Sequence, residues 1–213
     1  TDLLYASVTK SVGTVVHGKN KTVDWHIVRG LALGSMPAAI ITLILMAKFG
    51  ATGHKSPALL NVLLGLTLLM TSIAIFFRPW IIERIGPRFD HLEVSGTNRW
   101  TIMLGVVLGI LVSLTSVGAG ALGTTALLLL YPRLPVARIA GSDIAHAVPL
   151  TLIAGIGHWL MGSVDFVLMA ALLVGSIPGV ILGSHLAGKS SDRILRPVLA
   201  ATLLLVSIRL LAA

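Results

Sequence analysis

Residues 101–131 read TIMLGVVLGILVSLTSVGAGALGTTALLLLY, the pattern of a membrane-spanning helix that is interrupted near its end. Residues 101–117 are apolar and nearly long enough to cross a bilayer. Three glycines follow among small residues: Gly118, Gly120 and Gly123. Glycine destabilises helices, and a backbone group left unpaired in hydrocarbon is strongly unfavourable. The stretch therefore predicts a broken helix whose break is buried in protein or lines a polar cavity.

A short apolar helix restarts after the break, at residues 124–130. Its free N–H groups and the positive end of its dipole would face the break, an arrangement that holds anions in transporters. Hydroxyl groups surround the same place: Ser113, Thr115, Ser116, Thr124 and Thr125. We predict that these hydroxyls and the three glycines bind a substrate anion. Alternatively, each hydroxyl bonds back to its own helix, and the glycines serve close helix packing, as Gly105 and Gly109 are expected to do.

The composition is that of a membrane protein with several spans. Of the 213 residues, 55% are hydrophobic and 11% are charged, and the mean hydropathy is +0.95. Soluble domains carry about 25% charged residues. Most of the sixteen Lys and Arg residues lie in short connections between apolar runs, as the positive-inside rule expects. We therefore expect the lipid bilayer, and no nucleic acid, as the surroundings of this chain despite its net charge of +8.

The apolar runs predict an all-α, multi-pass transmembrane bundle, because most of them approach the length of about 20 residues that a membrane helix needs. Besides the broken segment, the predicted spans are residues 2–17, 25–46, 57–77, 142–161, 164–187 and 194–211. Residues 1–87 form the remainder of a first repeat with three spans. Residues 88–100 form a cytoplasmic connection, and residues 101–213 form a second repeat with the broken helix and three spans.

An ungapped internal repeat supports this division. With a shift of 141 residues, TDLLYASVTKSVGTVVHGKNKTVDW lies on SDIAHAVPLTLIAGIGHWLMGSVDF, so that Asp2 meets Asp143. Agreement without gaps predicts two related structural units. Because the broken segment precedes Ser142 in the second unit, we expect an equivalent broken segment of about 40 residues before Thr1.

Charge placement predicts that the broken segment returns to the membrane face from which it started. With a returning segment, one face collects eleven basic residues: Lys19, Lys21, Arg78, Arg84, Arg88, Arg99, Arg133, Arg138, Lys189, Arg193 and Arg196. The other face has two, Lys48 and Lys55. If the segment crossed once, the split would be six against seven, and the positive-inside bias would vanish. A re-entrant segment gives the two repeats opposite orientations, the inverted plan of many secondary transporters.

Lys10 lies near the middle of the first predicted span. A charge inside a membrane is unfavourable, and such residues are functional hypotheses by default. We predict that Lys10 is the cationic partner of a bound anion. The alternative is a lysine that extends toward the membrane surface, or one near the end of a truncated span.

Asp2 and Asp143 follow Thr1 and Ser142 at the starts of predicted helices. A helix dipole stabilises a carboxylate at this position, so capping explains both residues. Proton coupling through either carboxylate is the alternative hypothesis.

Four further polar residues are assigned structural roles. Asp24 and Asp165 each follow a short loop and are expected to cap the next span, whereas His17 and His158 are expected to cap carbonyls at helix ends. No HExxH motif or paired ligand spacing is present, so we predict no metal and no cofactor. No GxSxG motif, phosphate-binding loop or convincing pair of carboxylates is present either, so we predict no catalytic residues.

The chain resembles the TauE/SafE family of sulfite exporters in GVVLGILVSLTSVGAGALGTTALLLLYPRLPVARIAGSDIAHAVPLTLIAGIGHWLMGSVDF and in the parallel TDLLYASVTK…HGKNKTVDW. The resemblance continues through VGSIPGVILGSHLA and LRPVLAATLLLVSIRLL and covers nearly the whole chain. It implies two related halves, transport of sulfite, sulfoacetate or other sulfur-containing anions, and a place in the bacterial inner membrane. Members usually carry adjacent glycines, whereas residues 118–123 read GAGALG. This departure concerns the substrate more than the fold.

Together, the residues and the resemblance favour a secondary transporter of small inorganic or organosulfur oxyanions, such as sulfite, sulfoacetate or thiosulfate. The anion is expected at the helix break near the bilayer midplane, and a homodimer is a further hypothesis. The alternative is a non-transporting membrane subunit that packs against a partner complex. An intramembrane enzyme would need a catalytic constellation, which the sequence does not offer.

Overall fold

The structure is a computed structural model that describes residues 1–19, 21–50, 57–89, 94–116, 120–162, 164–176 and 192–212. Every regular element in these residues is a helix, which confirms the predicted all-α class. The helices are α1 (Asp2–Lys19), α2 (Trp25–Gly50), α3 (Pro57–Phe76), α4 (Arg78–Phe89), α5 (Val94–Thr115), α6 (Ala121–Leu130), α7 (Val136–Leu160), α8 (Phe166–Ser176) and α9 (Asp192–Leu211).

Several of these helices suit a membrane. Three are long and apolar enough to cross it: Trp25–Lys48 in α2, Thr97–Thr115 in α5 and Val136–Leu160 in α7. The described parts of α3 and α4 make a fourth candidate if they count as one bent span, with 68° between the two helices. The protein is therefore a multi-pass membrane protein. The predicted span 164–187 lies partly outside the described residues.

Glycines let α2 and α5 pack closely. A Cβ atom at Gly105 would clash with the carbonyl oxygen of Leu31, and one at Gly109 would clash with that of Ser35. The predicted glycine seam is thus confirmed, and the two helices run parallel because later residues of one meet later residues of the other. Buried aliphatic side chains from α2, α5, α6 and α7 form a cluster beside the seam: Ile27, Leu31, Leu108, Leu127, Leu128 and Ile139.

Helices α1 and α7 cross in opposite directions. A Cβ atom at Gly13 of α1 would lie 3.3 Å from Cγ2 of Ile144, near the start of α7. One at Gly155, near the end of α7, would lie 2.7 Å from Cδ2 of Leu4. The start of each helix therefore packs against the end of the other.

Helices α3 and α9 are also antiparallel. Ser72 Oγ donates a hydrogen bond to the carbonyl of Ala200 (2.7 Å), and Ser207 Oγ donates one to the carbonyl of Gly65 (2.8 Å). In both pairs, α1 with α7 and α3 with α9, the helices occupy equivalent places in the 141-residue repeat.

Two hydrogen bonds link the halves of the chain reciprocally. The backbone N–H of Asp24 donates to Ser142 Oγ (2.8 Å), and the N–H of Asp165 donates to Thr1 Oγ1 (2.9 Å). A shift of 141 residues carries Thr1 onto Ser142 and Asp24 onto Asp165. The second bond is therefore the first with the two halves exchanged.

The same two aspartates cap the helices that follow them. Asp24 Oδ1 accepts a hydrogen bond from the N–H of His26 (3.0 Å), and Asp165 Oδ1 accepts one from the N–H of Leu168 (2.9 Å). Side-chain oxygens at helix starts satisfy N–H groups that have no partner inside the helix. The capping prediction is confirmed for both residues.

Helix α6 runs back along α5. The hydroxyl oxygens of Thr101, on the second turn of α5, and Tyr131, just after α6, are 2.7 Å apart. Further along α5, Cδ1 of Leu108 would lie 3.3 Å from a Cβ atom at Gly123, near the start of α6. Ser116, at the end of α5, has a φ of 59°, which non-glycine residues rarely adopt. The chain thus reverses direction between the two helices.

Two predicted boundaries differ from the structure. Helix α7 begins at Val136, directly after Pro135, and not at Ser142. A proline lacks an N–H group, which is no loss at a helix start. The expectation that Asp143 lies at a helix start is therefore wrong, because it lies about two turns inside α7.

The predicted connection 88–100 is also largely helical, because α4 extends to Phe89 and α5 begins at Val94.

Candidate functional site

The candidate site is centred on the carboxylate of Asp143, which is 2% exposed. Its Oδ2 accepts a hydrogen bond from Thr124 Oγ1 at 2.8 Å. Its Oδ1 is buried and has no hydrogen-bond partner among the described residues. Buried carboxylate oxygens are nearly always hydrogen-bonded. Asp143 therefore presents an unused acceptor, or a place for a proton, inside the protein.

The first turn of α6 reaches this carboxylate. The N–H of Thr124 donates to the carbonyl of Gly120 (2.8 Å), which closes that turn. A Cβ atom at Gly123 would lie 2.5 Å from Asp143 Oδ1, so a larger residue would displace the carboxylate. The positive end of the α6 dipole and the Thr124 hydroxyl both favour negative charge here. The start of α6 thus stabilises the ionised form of the Asp143 carboxylate.

Lys10 on α1 supplies positive charge near the carboxylate. It lies between Leu4 and Gly13, the two positions at which α1 packs against α7, and its side chain is half-buried. The ammonium group interacts electrostatically with Asp143 and Asp2. The structure therefore places Lys10 within Coulombic range of Asp143, while the binding of an anion by Lys10 stays a prediction.

His146, one turn beyond Asp143 on α7, adds a second unpaired buried atom. Its side chain is fully buried, its Nε2 lies 2.7 Å from Ser35 Oγ on α2, and its Nδ1 has no hydrogen-bond partner among the described residues. Residues three apart share a helix face, so His146 and Asp143 line the same side of α7. His146 and Ser35 are not among the site residues predicted from the sequence. The available signal was the three-residue spacing between Asp143 and His146. This spacing indicates a shared helix face only once α7 is known to start before Asp143.

The hydroxyls at the end of α5 form a separate group. Thr115 Oγ1 donates to the carbonyl of Leu111 (2.7 Å), so this residue does bond back to its own helix. Ser113 Oγ is buried and has no hydrogen-bond partner in the described part of the chain, and the Ser113 carbonyl accepts a hydrogen bond from His158 Nε2 (3.0 Å). His158 thus caps a carbonyl as predicted, but it lies about four turns beyond Asp143 on α7. Ser113 and Thr115 are therefore not part of the group around the carboxylate.

The other predicted residues make no contact with the carboxylate among the described residues, or lie outside them. Ser116 is half-buried at the end of α5, Gly120 is exposed, and Thr125 is buried in α6. Asp2 is exposed at the start of α1. Gly118 lies outside the described residues. The polar group that surrounds the buried carboxylate is thus smaller than the predicted set.

Comparison with known proteins provides a context for this geometry. The family model described as "Sulfite exporter TauE/SafE" matches residues 1–210. The chain is 37% identical over 212 residues to "Probable membrane transporter protein YjnA" of Bacillus subtilis (strain 168), a match that covers 99% of this chain and 83% of that protein. It is 25% identical over 213 residues to "Probable membrane transporter protein YdhB" of the same organism, with 96% and 82% covered. No solved structure matches the chain.

Proposed function

The chain belongs to the TauE/SafE family of membrane transporters, and we propose that it is a secondary transporter that exports small sulfur-containing oxyanions across a bacterial cytoplasmic membrane. Within the chain, the proposal rests on one observation, the buried polar group at the start of α6. There Asp143 is bonded to Thr124, lies against Gly123 and interacts with Lys10. Charged groups buried at membrane depth mark substrate and ion pathways.

The proposed anion site lies between the first turn of α6 and Lys10. Anions bind at helix N-termini because several backbone N–H groups and the helix dipole point at them. Gly123 lets the Asp143 carboxylate approach the backbone of this turn, and the Thr124 hydroxyl donates a hydrogen bond to that carboxylate. Lys10 supplies the positive charge that offsets the desolvation of the anion. A carboxylate beside such a site also provides a place for a proton.

The transport cycle that we propose uses a re-entrant α5–α6 segment in an inverted repeat. The antiparallel course of α6 along α5, with Thr101 bonded to Tyr131, supports a segment that returns to its starting face. The antiparallel pairing of α1 with α7 and of α3 with α9 supports opposite orientations of the two halves. Transporters with inverted repeats bind substrate where the repeats meet and expose it alternately to the two sides.

The test of this function is ligand binding by the reconstituted protein and by Lys10→Met. Sulfite, thiosulfate, sulfoacetate, sulfate and chloride are compared for thermal stabilisation, which grows with the ratio of ligand concentration to Kd. A hydrogen bond from a charged donor contributes about 1.5–3 kcal/mol, so Lys10→Met should raise Kd for the bound oxyanion about 10- to 150-fold. Lys48→Met removes the same charge from an exposed position and serves as the matched control.

Two results would contradict the proposal in different ways. An unchanged Kd in Lys10→Met would refute the site at Lys10 while leaving transport possible elsewhere in the chain. The absence of stabilisation by any of the oxyanions, together with the absence of flux in liposomes, would refute the transporter function and favour a non-transporting membrane subunit.

A further inference from the structure

The charges around Asp143 can be counted. When both groups are ionised, Asp143 contributes one negative charge and Lys10 one positive charge, and the two charges lie within Coulombic range of each other. His146 is fully buried, and its Nδ1 has no anionic partner in the described part of the chain. An unpaired buried charge is strongly unfavourable, so this imidazole is counted as neutral. With Asp143 and Lys10 ionised and no substrate bound, the group has no net charge.

The helices packed around Asp143 add little to this count among the residues that the structure describes. Asp143 is contacted by Gly123 and Thr124 from α6 and lies within Coulombic range of Lys10 from α1. Leu108 of α5 packs against Gly123, and His146 with its partner Ser35 of α2 lies one turn further along α7. Asp2 also interacts with Lys10, but it is exposed at the start of α1, where solvent screens its charge. Lys10 therefore supplies the positive charge that a bound anion would meet.

A bound anion changes the net charge of the group around Asp143. If Asp143 stays ionised, a monovalent anion leaves one uncompensated negative charge in a buried site. If one proton binds with the anion, the total returns to zero. A divalent anion leaves a net negative charge even when the proton is present. Because uncompensated buried charge is strongly unfavourable, the favoured load is one monovalent anion and one proton.

We propose that the site binds a monovalent oxyanion together with one proton and moves them across the membrane as a neutral unit. The proton lies between Asp143 Oδ1, which has no hydrogen-bond partner among the described residues, and an oxygen of the anion, while Lys10 holds another oxygen of the anion and the Thr124 hydroxyl continues to donate to Asp143 Oδ2. One O–H bond forms on loading and breaks on release, so one proton and one anion are taken up on one side and delivered on the other. This inference rests on the proposed function and narrows it to monovalent anions, such as hydrogensulfite or an alkyl sulfonate.

The experiment uses the full chain in liposomes that contain a pH-sensitive dye, with the membrane potential set by a potassium gradient and valinomycin. Hydrogensulfite, methanesulfonate, thiosulfate and sulfate are supplied separately. Each transported monovalent anion should be accompanied by one proton, at a rate that does not respond to the imposed potential. The two divalent anions should move more slowly by about tenfold or more, because each leaves a buried charge uncompensated.

Asp143→Asn removes the proton site and should abolish anion-dependent proton uptake and its dependence on pH. Asp165→Asn is the matched control: its amide oxygen can still accept the bond from Leu168 at the exposed start of α8, so proton coupling should persist. The inference is overturned if the wild-type protein moves anions in response to potential without protons, prefers divalent anions, or keeps its coupling in Asp143→Asn. If that variant does not fold, the proton-to-anion ratio of the wild type decides. If the wild type moves none of the four anions, the proposed function fails and this inference fails with it.

Discussion

Replacing Gly123 by alanine tests whether the first turn of α6 rests on the Asp143 carboxylate. The added methyl carbon would lie 2.5 Å from Asp143 Oδ1 and 3.3 Å from Leu108 Cδ1. The carboxylate cannot simply move aside, because Thr124 holds its other oxygen at 2.8 Å. Overpacking costs about 1–3 kcal/mol, and the loss of a hydrogen bond to a charged group costs about 1.5–3 kcal/mol. A gain in helix propensity of about 1 kcal/mol offsets part of this, which leaves a net destabilisation of about 1.5–5 kcal/mol.

The assay is thermal unfolding in detergent, followed by anion flux in liposomes. Gly123→Ala should lower the apparent melting temperature and reduce flux. Gly175→Ala is the control, because a Cβ atom there meets nothing within 4 Å and the helix propensity of α8 should improve. If Gly123→Ala is as stable and as active as the wild type, α6 does not contact the carboxylate in the functional protein, and the proposed site is refuted.

Two further substitutions test the packing of the bundle. Gly105→Val should prevent recovery of monodisperse protein in size-exclusion chromatography, because its Cβ atom would clash with the Leu31 carbonyl and force α2 away from α5. Gly18→Ala is the control, because its Cβ atom would meet nothing within 4 Å among the described residues. A normal yield of Gly105→Val would contradict the close packing of α2 and α5. Ser142→Ala should lower stability by about 0.5–1.5 kcal/mol in thermal unfolding, because the N–H of Asp24 loses its acceptor. An unchanged melting temperature would show that this link between the halves contributes nothing to stability.

Features governed by local spacing were predictable from the sequence. Gly105 and Gly109 lie four residues apart and therefore share one helix face, which is enough to predict a close contact with a neighbouring helix. Asp24 and Asp165 stand directly before apolar helices, where a carboxylate has few roles other than capping. The N–H groups that the aspartates cap lie within a few residues, and the two glycines need only the backbone of some neighbouring helix. The sequence alone therefore carries the information in both cases.

The centre of the candidate site was harder to predict, because it depends on contacts between distant parts of the chain. The polar stretch before Ser142 resembles a connection, and only the structure shows that α7 already begins at Val136 and buries Asp143. His146 and Ser35 are 111 residues apart, and no pattern in either helix indicates that they meet. Hydroxyls near the break were a reasonable set of candidates, but Ser113 near the end of α5 is hydrogen-bonded to His158, which lies about four turns beyond Asp143 on α7.

The two halves of the chain share the sequence repeat, but only one of them carries a charged residue at the position of Lys10. Lys10 of α1 and Thr151 of α7 occupy equivalent positions, and both lie between the two contacts that join these antiparallel helices. Thr151 is 2% exposed and bonds to the carbonyl of Ala147 at 2.7 Å. A second lysine there would place two positive charges close together in a buried interface, where like charges are strongly unfavourable. Among the described residues, the asymmetry therefore leaves one cation to be shared by one carboxylate and one anion. This is why a proton accompanies the anion in the transport that we propose.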